Sequence, residues 1–97
     1  MSISSIDRHA ILSAIEEFDR IGRDGFLRKY GFGSSKSSWL MYEGRQYDIK
    51  AIIGAAHRYV DPAVGPLKPK AFSGGQGLNR KLVELGFSVK SADKVSR

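Results

Sequence analysis

Apolar residues near the start of the chain recur at intervals of three and four positions, as they do along one face of a helix. The stripe comprises Ile11, Ala14, Ile15, Phe18 and Ile21. It predicts a helix from about Asp7 to Ile21, and either Ser5 or Asp7 can cap its first turn. The chain therefore begins with an amphipathic helix.

The next segment predicts a second, shorter helix and then a loop. Residues 22–25 break the first helical pattern, and Asp24 is expected to cap a helix that ends at Gly31. The small polar side chains of residues 33–38 bury too little surface to offset the entropy of ordering them. A flexible loop is expected there.

After this loop the alternation of apolar and polar residues changes to a period of two, which indicates strands. Residues 39–42 and 45–48 are strand-like tetrads separated by Glu43 and Gly44, a spacing typical of a tight hairpin. Residues 87–89 could add one further strand.

The second half of the chain predicts two more helices. The third has a buried stripe of Ile49, Ile52, Ile53, Ala56 and Val60. Asp48 is expected to cap it, and Asp61-Pro62 ends it after about Tyr59. The fourth is marked by Leu78, Leu82 and Leu85 and is closed by Gly86.

These elements predict an α+β fold, namely a small helical domain with a short β-hairpin, winged-helix-like in style. The 97 residues suit one domain, which is expected to span residues 1–90, with 91–97 as a tail or the start of a linker. The chain has no cysteine and no apolar stretch of membrane-spanning length. A cytoplasmic protein without disulfides or a membrane partner is therefore expected.

The charge of the chain points to a polyanionic partner. Sixteen Lys and Arg against ten Asp and Glu give a net charge of +6. Residues 1–24 contain three basic and five acidic residues and sum to −2, so the remainder carries +8. This segregation predicts an acidic supporting helix and a basic half that binds nucleic acid.

The predicted third helix combines positive charge with a glycine on one face. Lys50, Gly54 and His57 are spaced to share that face, with Arg58 beside them. Cations could contact phosphates, and the glycine could let the backbone approach a DNA groove. Alternatively, the face is a solvated surface and Gly54 merely admits a neighbouring helix.

The start of the fourth helix is a second candidate DNA contact. Ser73, Gly74 and Gly75 could expose backbone amides to a phosphate at the positive end of the helix dipole. Basic residues nearby in sequence are Lys68, Lys70, Arg80 and Lys81. The alternative is an ordinary N-cap after a tight turn.

The hairpin supplies aromatic side chains and a cation. Trp39 and Tyr47 could stack on bases or line a pocket for a flipped base, and Arg45 could reach a groove or the backbone. Lys36, in the preceding loop, is a further candidate contact. Alternatively, Trp39 and Tyr47 are simply part of the core.

The sequence predicts neither catalytic residues nor a metal or other cofactor. His9 and His57 lie on separate helices without ligands at metal-binding spacing, and acids of the first helix are expected to be solvated. Gly74-Gly75-Gln76-Gly77 lacks the lysine and the spacing of a phosphate-binding loop.

Several motifs appear in an order that resembles a known family. They are residues 14–23 (AIEEFDRIGR), 26–33 (FLRKYGFG), 47–57 (YDIKAIIGAAH), 72–75 (FSGG) and 85–87 (LGF). Together they resemble the N-terminal head domain of McrA-like HNH endonucleases, the modification-dependent restriction enzymes of bacteria. Lys50, Gly54 and His57 match the central motif of that domain. The resemblance implies a module that reads methylated or otherwise modified cytosine, although this chain has no HNH motif.

Two functions follow as hypotheses. The first is a non-catalytic module that binds double-stranded DNA, methylated or hemimethylated, for a type IV HNH restriction endonuclease. The alternative is a protein-interaction or structural module that orients the other domains of such an enzyme. A stand-alone enzyme would need a catalytic cluster that the sequence does not contain.

Overall fold

The fold consists of four helices and one small sheet. The computed structural model describes residues 5–36, 38–72 and 76–91. The helices are α1 (Arg8–Ile21), α2 (Arg23–Tyr30), α3 (Ile49–Val60) and α4 (Gln76–Glu84), with a 3₁₀ turn at Pro69–Ala71. The strands are β1 (Ser38–Tyr42), β2 (Arg45–Asp48) and β3 (Ser88–Ser91). The α+β class predicted from the sequence is confirmed.

The first helix begins where the sequence predicts, but the second begins before the predicted cap at Asp24. The Asp7 carboxylate accepts a hydrogen bond of 2.9 Å from the Ala10 amide, so Asp7 is the N-cap of α1. Gly22 has a φ of +86° and serves both as the C-cap of α1 and as the N-cap of α2. The prediction of Asp24 as this cap was wrong, because a left-handed glycine turns the chain from one helix directly into the next.

Ile21 also departs from its predicted position, because its side chain is 39% exposed rather than packed in the core. The end of α2 does agree with the sequence. Gly31, with a φ of +78°, closes this helix through a bond from its amide to the Leu27 carbonyl.

The three strands form an antiparallel sheet in the order β2-β1-β3. Glu43 and Gly44 both have positive φ, which gives the tight hairpin turn whose twist matches the flanking strands. The strand predicted at 87–89 is confirmed, and it continues through Ser91, which pairs with Ser38. It therefore extends one residue past the expected domain end at residue 90, and residues 92–97 lie outside the described residues.

The core is built around α3, in which Ile49 and every residue from 51 to 57 are buried. This helix packs mainly against α1 and also contacts α2, α4 and the sheet. The buried apolar residues that surround it include Ile11, Ile15, Phe18, Phe26, Leu40, Leu78, Leu82 and Phe87. The third helix is thus a central support and offers little surface to a ligand.

The finer comparison with winged-helix modules is not confirmed. A helix-turn-helix type of module presents its recognition helix to the major groove. Here the corresponding helix is α3, and all of its residues are buried except Lys50, Arg58, Tyr59 and Val60. Within the described ranges, no helix has the length and apolar character needed to cross a membrane.

Candidate nucleic-acid interface

The exposed face predicted for the third helix does not exist, because two of its members are packed inside the domain. A Cβ placed on Gly54 would lie 2.5 Å from Phe32 Cζ and 2.7 Å from the Leu67 carbonyl oxygen. The Leu67 amide also donates to the Gly54 carbonyl at 2.9 Å. Gly54 therefore admits the loop after α3 and the Phe32 ring, which corrects its assignment to a DNA-facing surface.

His57 is the second buried member of that face, with only 2% of its surface exposed. Its Nδ1 lies 2.7 Å from the Gly65 carbonyl oxygen, so this nitrogen carries the proton and donates it. Its assignment as a DNA contact is corrected in the same way. His57 instead fixes the position of the loop that follows α3.

Lys50 and Arg58 keep part of their side chains in solvent. The Lys50 ammonium lies 5.2 Å from the centre of the Phe72 ring, a cation–π distance. The Arg58 guanidinium donates to the Tyr30 hydroxyl at 2.9 Å and remains 41% exposed. Of the four residues predicted on this face, only these two could reach a ligand.

A groove lies between the end of α2 and the segment that follows α3. Its wider part has a volume of about 630 Å³ and is lined by Arg28, Lys29, Tyr30, Gly31, Lys68, Pro69 and Lys70. The adjoining part, about 450 Å³, shares Lys29 and Tyr30 and adds Arg58, Pro62, Gly65 and Pro66. We call these two parts together the basic groove, since five cations and no acid line it.

Three of these cations are not used by the fold. Arg28, Lys68 and Lys70 are exposed and make no ion pair or side-chain hydrogen bond with any part of the chain that the structure describes. A lysine or arginine without a protein partner can give its full charge to a phosphate. These three side chains are therefore the cations of the groove that are most available to an anion.

The other two cations are held by a buried carboxylate beneath the groove. Glu17 is 2% exposed, and its Oε1 accepts a hydrogen bond of 2.6 Å from the Tyr30 hydroxyl. Its Oε2 pairs with Lys29 and lies 3.8 Å from the Arg58 guanidinium. Burial alone would raise the pKa of Glu17, but Lys29, Tyr30 and Arg58 together outweigh burial and lower it.

Two anchors fix the wall of the groove formed by residues 62–70. The carbonyl of Gly65 is held by His57, and the amide of Leu67 is held by the Gly54 carbonyl. All three prolines of the chain lie along this wall, where their rings restrict the backbone. The cations of the groove are thus displayed on a preorganised surface.

The hairpin residues lie elsewhere and are not brought to this groove. Tyr47 is 2% exposed, and its hydroxyl donates to Asp19 at 2.9 Å. Burial and the neighbouring Asp19 raise the pKa of Tyr47 to about 12. Arg45 is 67% exposed and lies 3.3 Å from the same carboxylate, whereas Trp39 is half-buried on β1. Stacking of bases on Tyr47 is not compatible with its burial.

The remaining predicted contacts fall into two groups. Lys36 and Arg80 are exposed, but neither lines the basic groove. Ser73, Gly74 and Gly75 lie outside the described residues. Among the residues that are described, no group of three or more His, Cys, Asp or Glu side chains could hold a metal ion.

Asp48 is the N-cap residue of α3, as predicted, but its buried carboxylate makes no capping hydrogen bond to the helix. Asp48 accepts two bonds from the Arg23 guanidinium, at 2.8 and 2.9 Å, and one of 2.8 Å from the Ser35 amide. Burial would raise the pKa of Asp48, but these partners lower it. The side chain therefore ties α2 and the 33–36 loop to the start of α3.

Sequence reasoning missed Arg28 and Lys29, which line the groove from the last turn of α2. The available signal was the basic sequence Arg28-Lys29 just before Gly31, together with Lys68 and Lys70 flanking a proline. These two segments are about 40 positions apart, and only the docking of the 62–70 segment onto α3 brings them together.

Comparison with known proteins identifies the family. A family model described as ScoMcrA-like, N-terminal head domain, matches residues 4–91. Among solved structures, the chain is similar to the Type IV phosphorothioation-dependent restriction endonuclease ScoMcrA, with 37% identity and a TM-score of 0.65. The similarity covers 94% of this chain but only 14% of that one. No curated protein matches the sequence.

These matches confirm the family suggested by the sequence motifs but not the expected modification. The solved relative is described as phosphorothioation-dependent, so methylated cytosine is not confirmed as the mark that this family recognises. The match over residues 4–91 is nearly complete, and the fold agrees with that of the solved relative. The chain therefore belongs to the family of ScoMcrA-like N-terminal head domains.

Proposed function

We propose that this domain is a non-catalytic module that binds the phosphate backbone of double-stranded DNA in the basic groove. The observation that carries the proposal is the convergence of five cations on a groove that no acid lines, three of them without a partner among the residues that the structure describes. Membership of a head-domain family with a solved restriction endonuclease supports DNA as the polyanion.

The composition of the groove favours the backbone over the bases as the group it contacts. Apart from cations, its lining consists of proline, glycine and Tyr30. The Tyr30 hydroxyl already donates to Glu17 and accepts from Arg58. The neutral side chains of the groove therefore offer no free donor or acceptor to the edge of a base. Contacts from cations to phosphates do not depend on such groups.

A backbone site of this kind predicts how the domain treats modified DNA. A phosphorothioate linkage replaces an oxygen with sulfur but keeps the negative charge of the diester, and cytosine methylation leaves the backbone unchanged. We expect duplexes that are unmodified, phosphorothioated or methylated to bind this domain with equal affinity to within about twofold, a difference of roughly 0.4 kcal/mol. Discrimination would then belong to other parts of an endonuclease like the solved relative.

The non-catalytic assignment rests on the same residues. Among the side chains with described positions, no cluster of metal ligands was found, and the groove contains no acid or histidine to act as a general base. The chain corresponds to 14% of the solved endonuclease, which leaves ample length in a protein of that type for a separate cleavage domain.

Two triple variants test the proposal. Arg28, Lys68 and Lys70 are replaced by alanine in one, and Arg20, Lys36 and Arg80 in the other. The control residues are equally charged and exposed, and they lie outside the groove. Binding of a labelled duplex is measured from 50 to 300 mM salt, roughly the range in which phosphate contacts dominate affinity.

The groove variant is expected to lose at least about tenfold in affinity, and the slope of log affinity against log salt should fall by roughly three. The control variant should keep both values within about twofold of the parent. Equal losses of affinity in the two variants would show that DNA binding depends only on the net charge of the domain. The groove would then not be the binding site.

The alternative of a domain-orienting module is supported by a different surface. A cavity of about 390 Å³ is lined by Tyr42 of β1 and by residues of α1 that include His9, Glu16 and Asp19, with no lysine or arginine in its lining. A neighbouring basic domain would suit this surface. If that were the main role, Glu16→Lys would disturb assembly of the whole protein, and both triple variants would leave DNA affinity unchanged.

A further inference from the structure

An apolar loop stands at the edge of the basic groove. Pro62, Ala63 and Val64 follow the end of α3 and are all exposed. Val64 is 48% exposed, and with Pro62 and Ala63 it forms a run of three consecutive exposed apolar residues. We call these three residues the apolar tip.

The apolar tip is held in one conformation. The Asp61 carbonyl accepts hydrogen bonds from the amides of Val64 and Gly65, at 3.1 and 2.8 Å. The buried His57 ring donates to the Gly65 carbonyl, and Pro62 restricts its own backbone. The exposed valine is therefore displayed by a closed turn and does not depend on a mobile loop to reach a ligand.

The tip lies beside cations of the basic groove. Pro62 lines the basic groove together with Lys29 and Arg58. Val64 lines a neighbouring depression of about 230 Å³ together with Pro66 and Lys68. A DNA strand whose phosphates contact these cations would place its sugars and the adjoining groove against the tip.

We infer that the apolar tip enters the minor groove of DNA when the backbone occupies the basic groove. The inference rests on the proposed function and adds to it the part of the DNA that the tip contacts. The minor groove is about 6 Å wide, which suits a narrow turn of proline, alanine and valine, and apolar side chains are known to serve as wedges there.

The chemistry of the tip predicts a base preference. The side chains of Pro62, Ala63 and Val64 have no hydrogen-bond acceptor. The N2 amino group of guanine projects into the minor groove, and covering it with these side chains would leave its donor without a partner. Base pairs without that amino group should therefore bind better.

Inosine provides the direct probe, because an inosine–cytosine pair resembles guanine–cytosine in the major groove and adenine–thymine in the minor groove. The full chain is titrated with three duplexes of equal length that contain A·T, G·C or I·C pairs. The A·T and I·C duplexes are expected to bind alike and about fivefold more tightly than G·C. Equal affinity for I·C and G·C would overturn the inference, whereas absence of binding to all three would instead overturn the proposed function.

Two valine variants assign the preference to the tip. Val64→Ser should remove most of the fivefold difference while leaving the salt dependence unchanged, since no charge is lost. Val83→Ser is the matched control, because Val83 is 58% exposed on α4 and lines neither the basic groove nor the depression that Val64 lines. Both substitutions lie at exposed positions, so both proteins are expected to fold. If Val64→Ser keeps the full difference, the tip does not enter the minor groove. The exposed apolar surface would then be assigned to contact with another protein.

Discussion

The carboxylate of Glu17 accepts a hydrogen bond of 2.6 Å from the Tyr30 hydroxyl directly beneath the basic groove. The same carboxylate also binds Lys29 and faces Arg58, so it links α1 to α2 and α3. Because it partly neutralises two of the five groove cations, Glu17 sets how much positive charge the groove presents to a ligand.

Glu17→Gln tests this effect on DNA binding. Glutamine keeps an oxygen that can accept from the Tyr30 hydroxyl, but it releases Lys29 and Arg58, which are already 48% and 41% exposed. The slope of log affinity against log salt should become steeper by up to about 1.8, equivalent to two further phosphate contacts. An unchanged slope in a folded variant would show that Lys29 and Arg58 do not reach DNA.

The buried pair of Asp48 and Arg23 predicts a dependence of stability on pH. Since the pKa of Asp48 is lower in the folded state than in the unfolded chain, its contribution is present above the unfolded pKa of about 3.9 and disappears as the pH falls through the folded value. Arg23→Ala should lower the free energy of unfolding by about 2 kcal/mol at pH 7, a figure reduced for the half-exposed arginine.

Thermal unfolding of the parent and of Arg23→Ala at several pH values measures this contribution. The difference in stability should shrink as the pH falls, because Asp48 becomes protonated first in folded Arg23→Ala, where burial is no longer offset by the arginine, and then in the folded parent. A difference that stays constant from pH 7 to the acid limit would assign the effect to lost packing rather than to the ion pair.

The raised pKa of Tyr47 predicts that its hydroxyl ionises at a higher pH than an ordinary tyrosine. Its pKa of about 12 exceeds the ordinary tyrosine value of about 10, so its contribution to stability is complete below pH 10 and is lost as the pH rises through 12. Ultraviolet titration should show a phenol that ionises near pH 12 and that disappears in Tyr47→Phe. Asp19→Asn removes the carboxylate that accepts a hydrogen bond from the Tyr47 hydroxyl and should shift that ionisation to lower pH.

Gly54→Ala tests the close packing that holds the groove wall on α3. The added methyl would lie 2.5 Å from Phe32 and 2.7 Å from the Leu67 carbonyl, so the loop or the ring must move. We expect a loss of stability of about 2 kcal/mol together with weaker DNA binding, because Lys68 follows Leu67 directly. Chemical denaturation measures the first effect.

Gly77→Ala is the control for this substitution. Gly77 also lies in a helix, but nothing is within 4 Å of the position that its Cβ would occupy. Alanine there should leave stability unchanged or raise it by up to about 1 kcal/mol. A loss of stability as large as that of Gly54→Ala would mean that helix position rather than contact with Phe32 and Leu67 determines the cost.

The sequence predicts the elements well because their signals are local. The Asp7 cap, the Gly31 stop and the Glu43-Gly44 turn each depend on a few neighbouring residues, and each appears in the structure as expected. The start of α2 was misplaced because Asp24 and Gly22 are both acceptable N-caps, and only the geometry of the junction with α1 selects the glycine.

The binding surface was predicted less well because it depends on contacts between distant parts of the chain. The face with Lys50, Gly54 and His57 looks amphipathic in sequence, yet the 62–70 segment and Phe32 cover two of its three members. A glycine that admits a ligand and a glycine that admits the protein's own backbone give the same local pattern. The alternative reading of Gly54, as a point of close packing, is the one that the structure supports.

The most direct test of the basic groove as the DNA site is a nuclear magnetic resonance titration of the isotope-labelled chain with a short duplex. Binding in the groove predicts that the largest amide shifts fall on residues 28–31 and on the non-proline residues of the 62–70 segment, with small shifts on the β1-β2 hairpin. Largest shifts on the hairpin, around Trp39 and Arg45, with the 28–31 and 62–70 amides unmoved, would contradict the central claim.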